Sequence, residues 1–336
     1  MRKVFSAVSA LIVVGLTAGR PEAGAPNAAA ALGWQGRPLP VGLALQGVPQ
    51  AAPAFDSNRA WEHLRQLVAI GPRPAGSAAL DQTRKYIKGQ LAAAGVGVAE
   101  QAWDEQTPIG TVHMVNLVAT IPSARPPGGR GDRIVISGHY DTKLFRDSRF
   151  VGANDGGSSA AFLLEMARVL KARRNALTVE LLFLDGEEAF CLNWDECGRP
   201  GAPDNTYGSR HYVAAGKRAG TLAGIKAHIL VDMVADRDLR LKRDLNSTPW
   251  LTDIVWAAAK ARKLDTFFVP MATQIEDDHI PFMQAGVPSV DVIDLEYDAW
   301  HTPGDTLDAV SARSLQVVGD VVLAALPQIE ARAAKP

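Results

Sequence analysis

The acids and imidazoles of this chain fall in a few dense stretches. One is Leu181-Leu182-Phe183-Leu184-Asp185-Gly186-Glu187-Glu188, four large apolar residues running into four residues of which three are acids. Another is Glu276-Asp277-Asp278-His279. His139 and Asp141 follow the apolar run Ile134-Val135-Ile136, and Asp232 follows Ile229-Leu230-Val231. Asp155 sits among glycines in Gly152-Ala153-Asn154-Asp155-Gly156-Gly157, and His301 follows Trp300. Carboxylate plus imidazole is the ligand set of catalytic zinc, with three protein ligands and one open position. Burying so many acids without a cation would be costly, and a metal offsets that cost. Each residue also has a plainer reading. A lone histidine is more often a core or surface residue than a ligand, which is the reading for His63, His113 and His228. Asp155, just before a helix start, gains from the helix dipole whatever its role. The convergence of the others favours a metal centre. Adjacent side chains on an extended segment point to opposite sides. Glu187 and Glu188 are therefore expected to do different jobs, one binding a metal and the other facing substrate.

These residues need a frame. Leu181–Leu184 is too short for a helix and does not alternate, so it reads as a strand buried on both faces, central in a parallel sheet. Ligands of open α/β sheets lie beyond the carboxyl ends of strands, where these acids are. Ile134–Ser137, Ile229–Val231, Val290–Ile293 and Val112–Ile121 read as further strands. Helical spacing is present over 55–70 through Trp61, Leu64, Leu67 and Val68. A helix capped by Ser77 shows Leu80, Tyr86, Ile87 and Leu91 on one face. A third helix is expected to be capped by Ser158 or Ser159, with Phe162, Leu163, Met166, Val169 and Leu170 as its core face. Tyr207 opens another, 247–264 forms one with Trp250, Ile254, Ala257 and Ala258 inward, and Ser311 caps the last. Strands alternating with helices predict one α/β domain, with a mixed, mostly parallel central β-sheet sandwiched by helices.

The formal net charge is −1 and no basic run is interleaved with aromatics, so nothing favours nucleic acid or a polybasic membrane contact. Residues 1–25 read as a secretory signal peptide: a basic start, then an apolar stretch from Ala7 to Ala18 that is shorter than the roughly 20 residues a bilayer span needs. Residues 26–54, rich in Ala, Gly and Pro, read as a flexible leader, and 55–336 as the catalytic domain. The mature protein is expected to be periplasmic or secreted, monomeric, and without a stable membrane anchor. The two cysteines, Cys191 and Cys197, can pair in such a compartment, and their spacing is wrong for a cysteine zinc site. Arg130-Gly131-Asp132 is better explained by turn chemistry than by adhesion.

On its motifs the chain resembles the zinc-peptidase family of α/β exopeptidases, and within it the branch of secreted glutaminyl cyclases. The resemblance runs from about Asn58 to the end. It is carried by His139-Tyr140-Asp141-Thr142-Lys143, Phe150-Val151-Gly152-Ala153-Asn154-Asp155, Leu182 to Phe190, Tyr207-Gly208-Ser209-Arg210-His211, Glu276 to Phe282 and Trp300-His301-Thr302. Asp277-Asp278-His279-Ile280-Pro281-Phe282 and the tryptophan before His301 favour the cyclase branch. The resemblance implies a substrate peptide with N-terminal glutamine, turned to pyroglutamate with loss of ammonia. It implies Asp155, Glu188 and His301 as ligands of one zinc, and Glu187 as general acid/base with Asp232 and Asp277 as its hydrogen-bonded partners. Trp300, Trp194 and Glu276 would line the substrate pocket. The family's dinuclear peptidases use the equivalents of His139 and Asp232 for a second zinc, with Asp155 bridging. Both residues are present, so a two-zinc aminopeptidase is the alternative. A catalytically silent binding module is disfavoured, because every ligand and acid/base position is filled. Two departures from the animal cyclases stand out: Gly156 where they carry serine, and Asp291 where they carry histidine.

Overall fold

The computed structural model describes residues 53–124 and 131–333. The expected signal peptide, the leader as far as residue 52, and Arg130 of the Arg-Gly-Asp tripeptide lie outside the described residues. The strands in chain order are β1 (Gly97–Thr107), β2 (Gly110–Ile121), β3 (Arg133–His139), β4 (Thr178–Leu184), β5 (Gly198–Arg199), β6 (Ala202–Pro203), β7 (Ile225–Asp232), β8 (Leu241–Asp244), β9 (Phe268–Thr273) and β10 (Ser289–Ile293). The helices are α1 (Ser57–Ile70), α2 (Ala78–Ala93), α3 (Gly157–Ala172), α4 (Tyr207–Ala219), α5 (Pro249–Ala261), α6 (His279–Gln284) and α7 (Ala312–Ala333).

Six strands form the central sheet in the order β1-β2-β4-β3-β7-β10. β4, β3, β7 and β10 run parallel, while β2 joins β4 antiparallel and pairs with β1 in a hairpin. The sheet is therefore mixed and mostly parallel, as the strand pattern predicts. β4 is buried on both faces for the reason its sequence suggests. Leu181 and Phe183 enter the larger core, with side chains of α1, α2, α3, α5 and α7, while Leu182 and Leu184 enter a smaller one with Tyr212 and Val213 of α4 and Phe282 of α6.

Chain order decides where the site falls. From β3 the chain moves to β4 on one side, then returns to β7 on the other. The carboxyl ends of β3 and β7 thus flank a topological switch point, the usual place for a ligand crevice in such sheets. His139 ends β3 and Asp232 ends β7.

Two expectations are corrected, and one strand was not foreseen. α3 begins at Gly157 with Gly156 as its N-cap, so Ser158 and Ser159 lie inside the helix. Ser158 donates to the Asn154 carbonyl, and Ser159 donates to Asp232. The buried face of α5 includes Leu251, Val255, Trp256, Ala258 and Ala259, leaving Ala257 exposed and Trp250 and Ile254 half-buried. An alanine-rich helix leaves the phase of its apolar stripe loosely specified. β1 is an edge strand with no buried residue, so it carries no hydrophobic pattern that would mark it.

Candidate active site

Three clusters meet at the carboxyl end of the sheet. Glu187 and Glu188 follow β4 through a turn at Gly186, whose φ is +69°. The Asp141 carboxylate fixes that turn by accepting from the Glu187 amide (3.3 Å) and the Glu188 amide (3.4 Å). Asp155 is held by Asp305, which accepts from the amides of Asn154 (2.8 Å) and Asp155 (3.1 Å) and from the Tyr297 hydroxyl (2.7 Å). His301 lies on the segment between Tyr297 and Asp305, so Asp305 ties two parts of the site together. Gly156 could not be serine without rearrangement. Its φ is +74°, and an added Cβ would fall 2.2 Å from the Asp141 carbonyl oxygen.

His301 Nε2 is 3.3 Å from Asp155 Oδ2 and 3.2 Å from Glu188 Oε2. On the other side of Asp155, His139 Nε2 is 3.2 Å from Asp155 Oδ1 and 3.1 Å from Asp232 Oδ1. Asp155 thus turns one oxygen to each histidine. Tetrahedral zinc with bonds of about 2.0–2.1 Å spaces its ligand atoms roughly 3.3 Å apart, and both triads come close to that spacing. Both Glu188 oxygens, Asp155 Oδ2 and His139 Nδ1 are buried without a hydrogen-bond partner. Groups of this kind call for a cation, so Asp155, Glu188 and His301 fit a metal ion, and His139, Asp155 and Asp232 could hold another. Cys191, Cys197 and Asp204 also cluster, but the two cysteines form a disulfide with each other.

The electrostatics agree. Burial pushes Glu187 well above the usual carboxylate range, helped by Glu188, Asp277 and Asp278 and opposed by His139. Burial and Asp155 raise Glu188. Burial disfavours the charged imidazole of His301, yet Glu188 and Asp155 push it up to about 10. His139 is likewise held well above its ordinary value: Asp232 and Glu187 outweigh burial. Burial would raise Asp155, yet the two histidines beside it hold it below its ordinary value. Positive charge is wanted throughout.

A cavity of about 610 Å³ opens over these groups, lined by Asp155, Glu187, Glu188, Asp232, Asp277 and His301, and also by Trp194, Glu276 and Trp300. Trp300 is 42 % exposed and stacks on His301 at 4.4 Å between centroids. The positions named from the sequence therefore share one cavity wall, apart from His139, which lies beneath it. One expected arrangement differs. No hydrogen bond among the described residues joins Glu187 to Asp232 or Asp277. Asp232 instead accepts from His139, Ser159 and the Met233 amide, and Asp277 acts on Glu187 through its charge. Asp291 lies 3.6 Å from His279 Nδ1, deep in the fold.

Arg73 and Asp305 support the site without any sequence signal. Arg73, fully buried, donates to the carbonyls of Tyr140, Val151 and Gly152 at 2.9, 2.5 and 2.9 Å. In sequence it is only part of a Gly-Pro-Arg-Pro helix stop. His63, His113 and His228 stay outside the site: His63 bonds the Tyr86 hydroxyl, His113 pairs with Asp104 at the surface, and His228 packs between Ser137, Ser289 and Phe282. Of four non-glycine residues with positive φ among the described residues, three are Thr206, Met233 and His301. Met233 follows Asp232, Thr206 donates to the Glu187 carbonyl, and strain of this kind gathers at functional sites.

Fold and site together define a zinc-exopeptidase-like α/β protein, its carboxylate-rich centre lying beyond the strand ends. The chain belongs to peptidase family M28, which matches residues 116–326. It is 30% identical to a glutaminyl-peptide cyclotransferase-like protein of Mus musculus over 283 residues, covering 75% of this chain and 70% of the relative. Among solved structures, a glutaminyl cyclase from an Acidobacteriales bacterium superposes with a TM-score of 0.76 at 37% identity, over 85% of this chain and 98% of the other. A leucine aminopeptidase precursor from Bacteroides thetaiotaomicron superposes with a TM-score of 0.74 at 25% identity, over 82% of this chain and 98% of the other.

Proposed function

We propose that this protein is a glutaminyl-peptide cyclotransferase, converting the N-terminal glutamine of peptides to pyroglutamate with release of ammonia. The observation that carries the reading is Glu187. It is buried beside the Asp155, Glu188 and His301 triad, outside that set, and it lines the cavity walled by Trp300 and Trp194. The relatives named glutaminyl-peptide cyclotransferase and the Acidobacteriales glutaminyl cyclase support it.

Asp155, Glu188 and His301 would hold one zinc ion, which when bound supplies a Lewis acid for the glutamine γ-carbonyl oxygen. The substrate's own α-amine attacks its γ-carbon and closes a five-membered ring. The tethered nucleophile makes positioning the main requirement. Glu187 accepts the amine proton and returns it to the γ-nitrogen, which leaves as ammonia. Burial, together with the carboxylates around it, keeps the affinity of Glu187 for that proton high, as a shuttle needs. Trp300, stacked on His301, covers the glutamine side chain and excludes water, which would otherwise compete with the amine. Glu276, Asp232 and Asp277 shape the polar side of the pocket.

The second triad gives the alternative its footing, since His139, Asp155 and Asp232 could accept a second zinc and serve a two-zinc aminopeptidase. One assay separates the two. Purified protein is given glutamine amide and leucine amide. The cyclase forms pyroglutamate amide and ammonia from the first and leaves the second intact; cleavage of leucine amide, with two zinc ions per chain, would establish the peptidase instead.

In this reading residues 1–25 are a cleaved signal peptide, 26–54 a leader and 55–336 the catalytic domain of a monomer working in the periplasm or outside the cell. The disulfide suits such a compartment, and no helix among the described residues is long and apolar enough to cross a membrane.

A further inference from the structure

A second cavity, of about 480 Å³, adjoins the first. Trp194, Asp195, Glu276 and Asp277 line both, so they form the sill between them. One wall of the second cavity is α6, through Ile280, Pro281 and Gln284. The other is the loop from Cys191 to Pro203, closed by the Cys191–Cys197 disulfide and carrying the β5–β6 hairpin.

This loop is fastened to the body of the protein at several points. The Cys191 amide donates to Asp204 (2.8 Å), and the Cys191 carbonyl accepts from the buried Lys143 (3.1 Å). The Trp194 carbonyl accepts from Asn205 (3.3 Å), and the Pro203 carbonyl accepts from Arg210 (2.9 Å). The second cavity therefore has a fixed wall.

Its charges are sorted by position. Asp195 and Glu276 stand on the sill, whereas Arg199 and Arg210 line only the second cavity. Arg210 is already committed to the carbonyls of Pro203 and Asn205 and to the Tyr207 ring. Arg199 is exposed on the hairpin and makes no ion pair with the described residues.

We infer that the second cavity is the subsite for the residues that follow the N-terminal glutamine, and that Arg199 selects a carboxylate side chain at the third residue of the peptide. The inference rests on the cyclase reading and deepens it. A glutamine with its side chain at the Asp155–Glu188–His301 triad sends its peptide bond outward over the sill. The second residue passes the acids there. An extended chain advances about 3.3 Å per residue with side chains alternating, so the third residue comes under the arginine wall.

The test uses the mature, zinc-loaded protein and its Arg199→Glu variant. Substrates are glutamine amide, Gln-Ala-Glu amide and Gln-Ala-Lys amide. The wild type favours the Glu peptide over the Lys peptide by about threefold to fivefold in kcat/KM, the size expected of one exposed ion pair, with the difference carried by KM. In R199E the preference reverses, while turnover of glutamine amide is unchanged. The same order appears in calorimetric binding of the two peptides to each protein in an inert E187Q background. A Glu/Lys ratio identical in the two proteins overturns the subsite while leaving the cyclase reading intact. Absence of turnover of every glutamine substrate overturns the cyclase reading, and the subsite with it.

Discussion

Glu187 and Glu188 are neighbours in sequence with separate surroundings. Glu188 faces His301 and Asp155, and Glu187 faces His139 Nδ1 at 3.7 Å and the charges of Asp277 and Asp278. Replacing Glu187 by glutamine keeps its size and its hydrogen-bonding capacity but removes the proposed proton shuttle. E187Q is expected to lower kcat on glutamine amide by about 10²–10⁴-fold, the usual worth of such a group, with zinc content by elemental analysis unchanged. Near-normal turnover would remove Glu187 from the mechanism. Asp305 makes a different prediction, because it lines no ligand cluster and works through the Asn154 and Asp155 amides. Supporting groups of this kind typically set 10–100-fold in metal affinity. D305A should weaken zinc binding by about that factor in a competition titration, and unaltered affinity would show that the Asp155 loop holds its shape unaided.

The elements were legible wherever burial imposes a pattern. β4 announces itself because both faces are covered, and α1 because Leu64 and Leu67 recur at helical spacing on a buried face. The acids at the strand ends pointed to the crevice before any geometry was known, because parallel sheets place ligands there. What stayed illegible has physical reasons. β1 buries no residue, α5 is rich in alanine, and β8 and β9 form a short separate pair. The absent hydrogen bond between Glu187 and Asp232 depends on where a side chain turns, which spacing does not encode. Arg73 shows the same limit at the level of loops. From the end of α1 it reaches carbonyls near residues 140 and 152, binding together the segments that follow β3. Its guanidinium also sits close enough to Asp305, Asp141 and Asp155 for their charges to resist the lowering of its pKa by burial. Arg73→Met keeps much of the bulk but strands three buried acceptors, each costing about 1–3 kcal/mol. A loss of about 3 kcal/mol or more in urea unfolding is expected, and an unchanged midpoint would show that these carbonyls find other partners.

Across the whole molecule, the site concentrates buried acids at one end of the sheet, and this should make stability depend jointly on metal and pH. In the metal-free protein, burial pushes Asp278 up to about 7, and burial with Asp141 does the same to Asp185, whereas an unfolded aspartate titrates near 3.9. Between roughly pH 4 and 7 the folded state therefore binds more protons than the unfolded one, and stability falls as pH rises through that window. His301, held at about 10 against about 6.5 when unfolded, extends the decline to higher pH. Asp155, lowered in the folded state, is ionised in both states above about pH 5 and adds no slope there. Zinc held at the proposed site would act in the opposite sense, because its ligands must be deprotonated and its affinity rises with pH. Metal present at about 1,000 times its Kd stabilises by about 4 kcal/mol, worth roughly 10 °C in Tm for a domain of this size. The gap in Tm between loaded and chelated protein should therefore be about that large at pH 8 and clearly smaller at pH 5.5. Equal melting with and without metal at pH 8, with its removal verified by elemental analysis, would mean that these carboxylates are neutralised without a cation, and the metal centre would have to be abandoned.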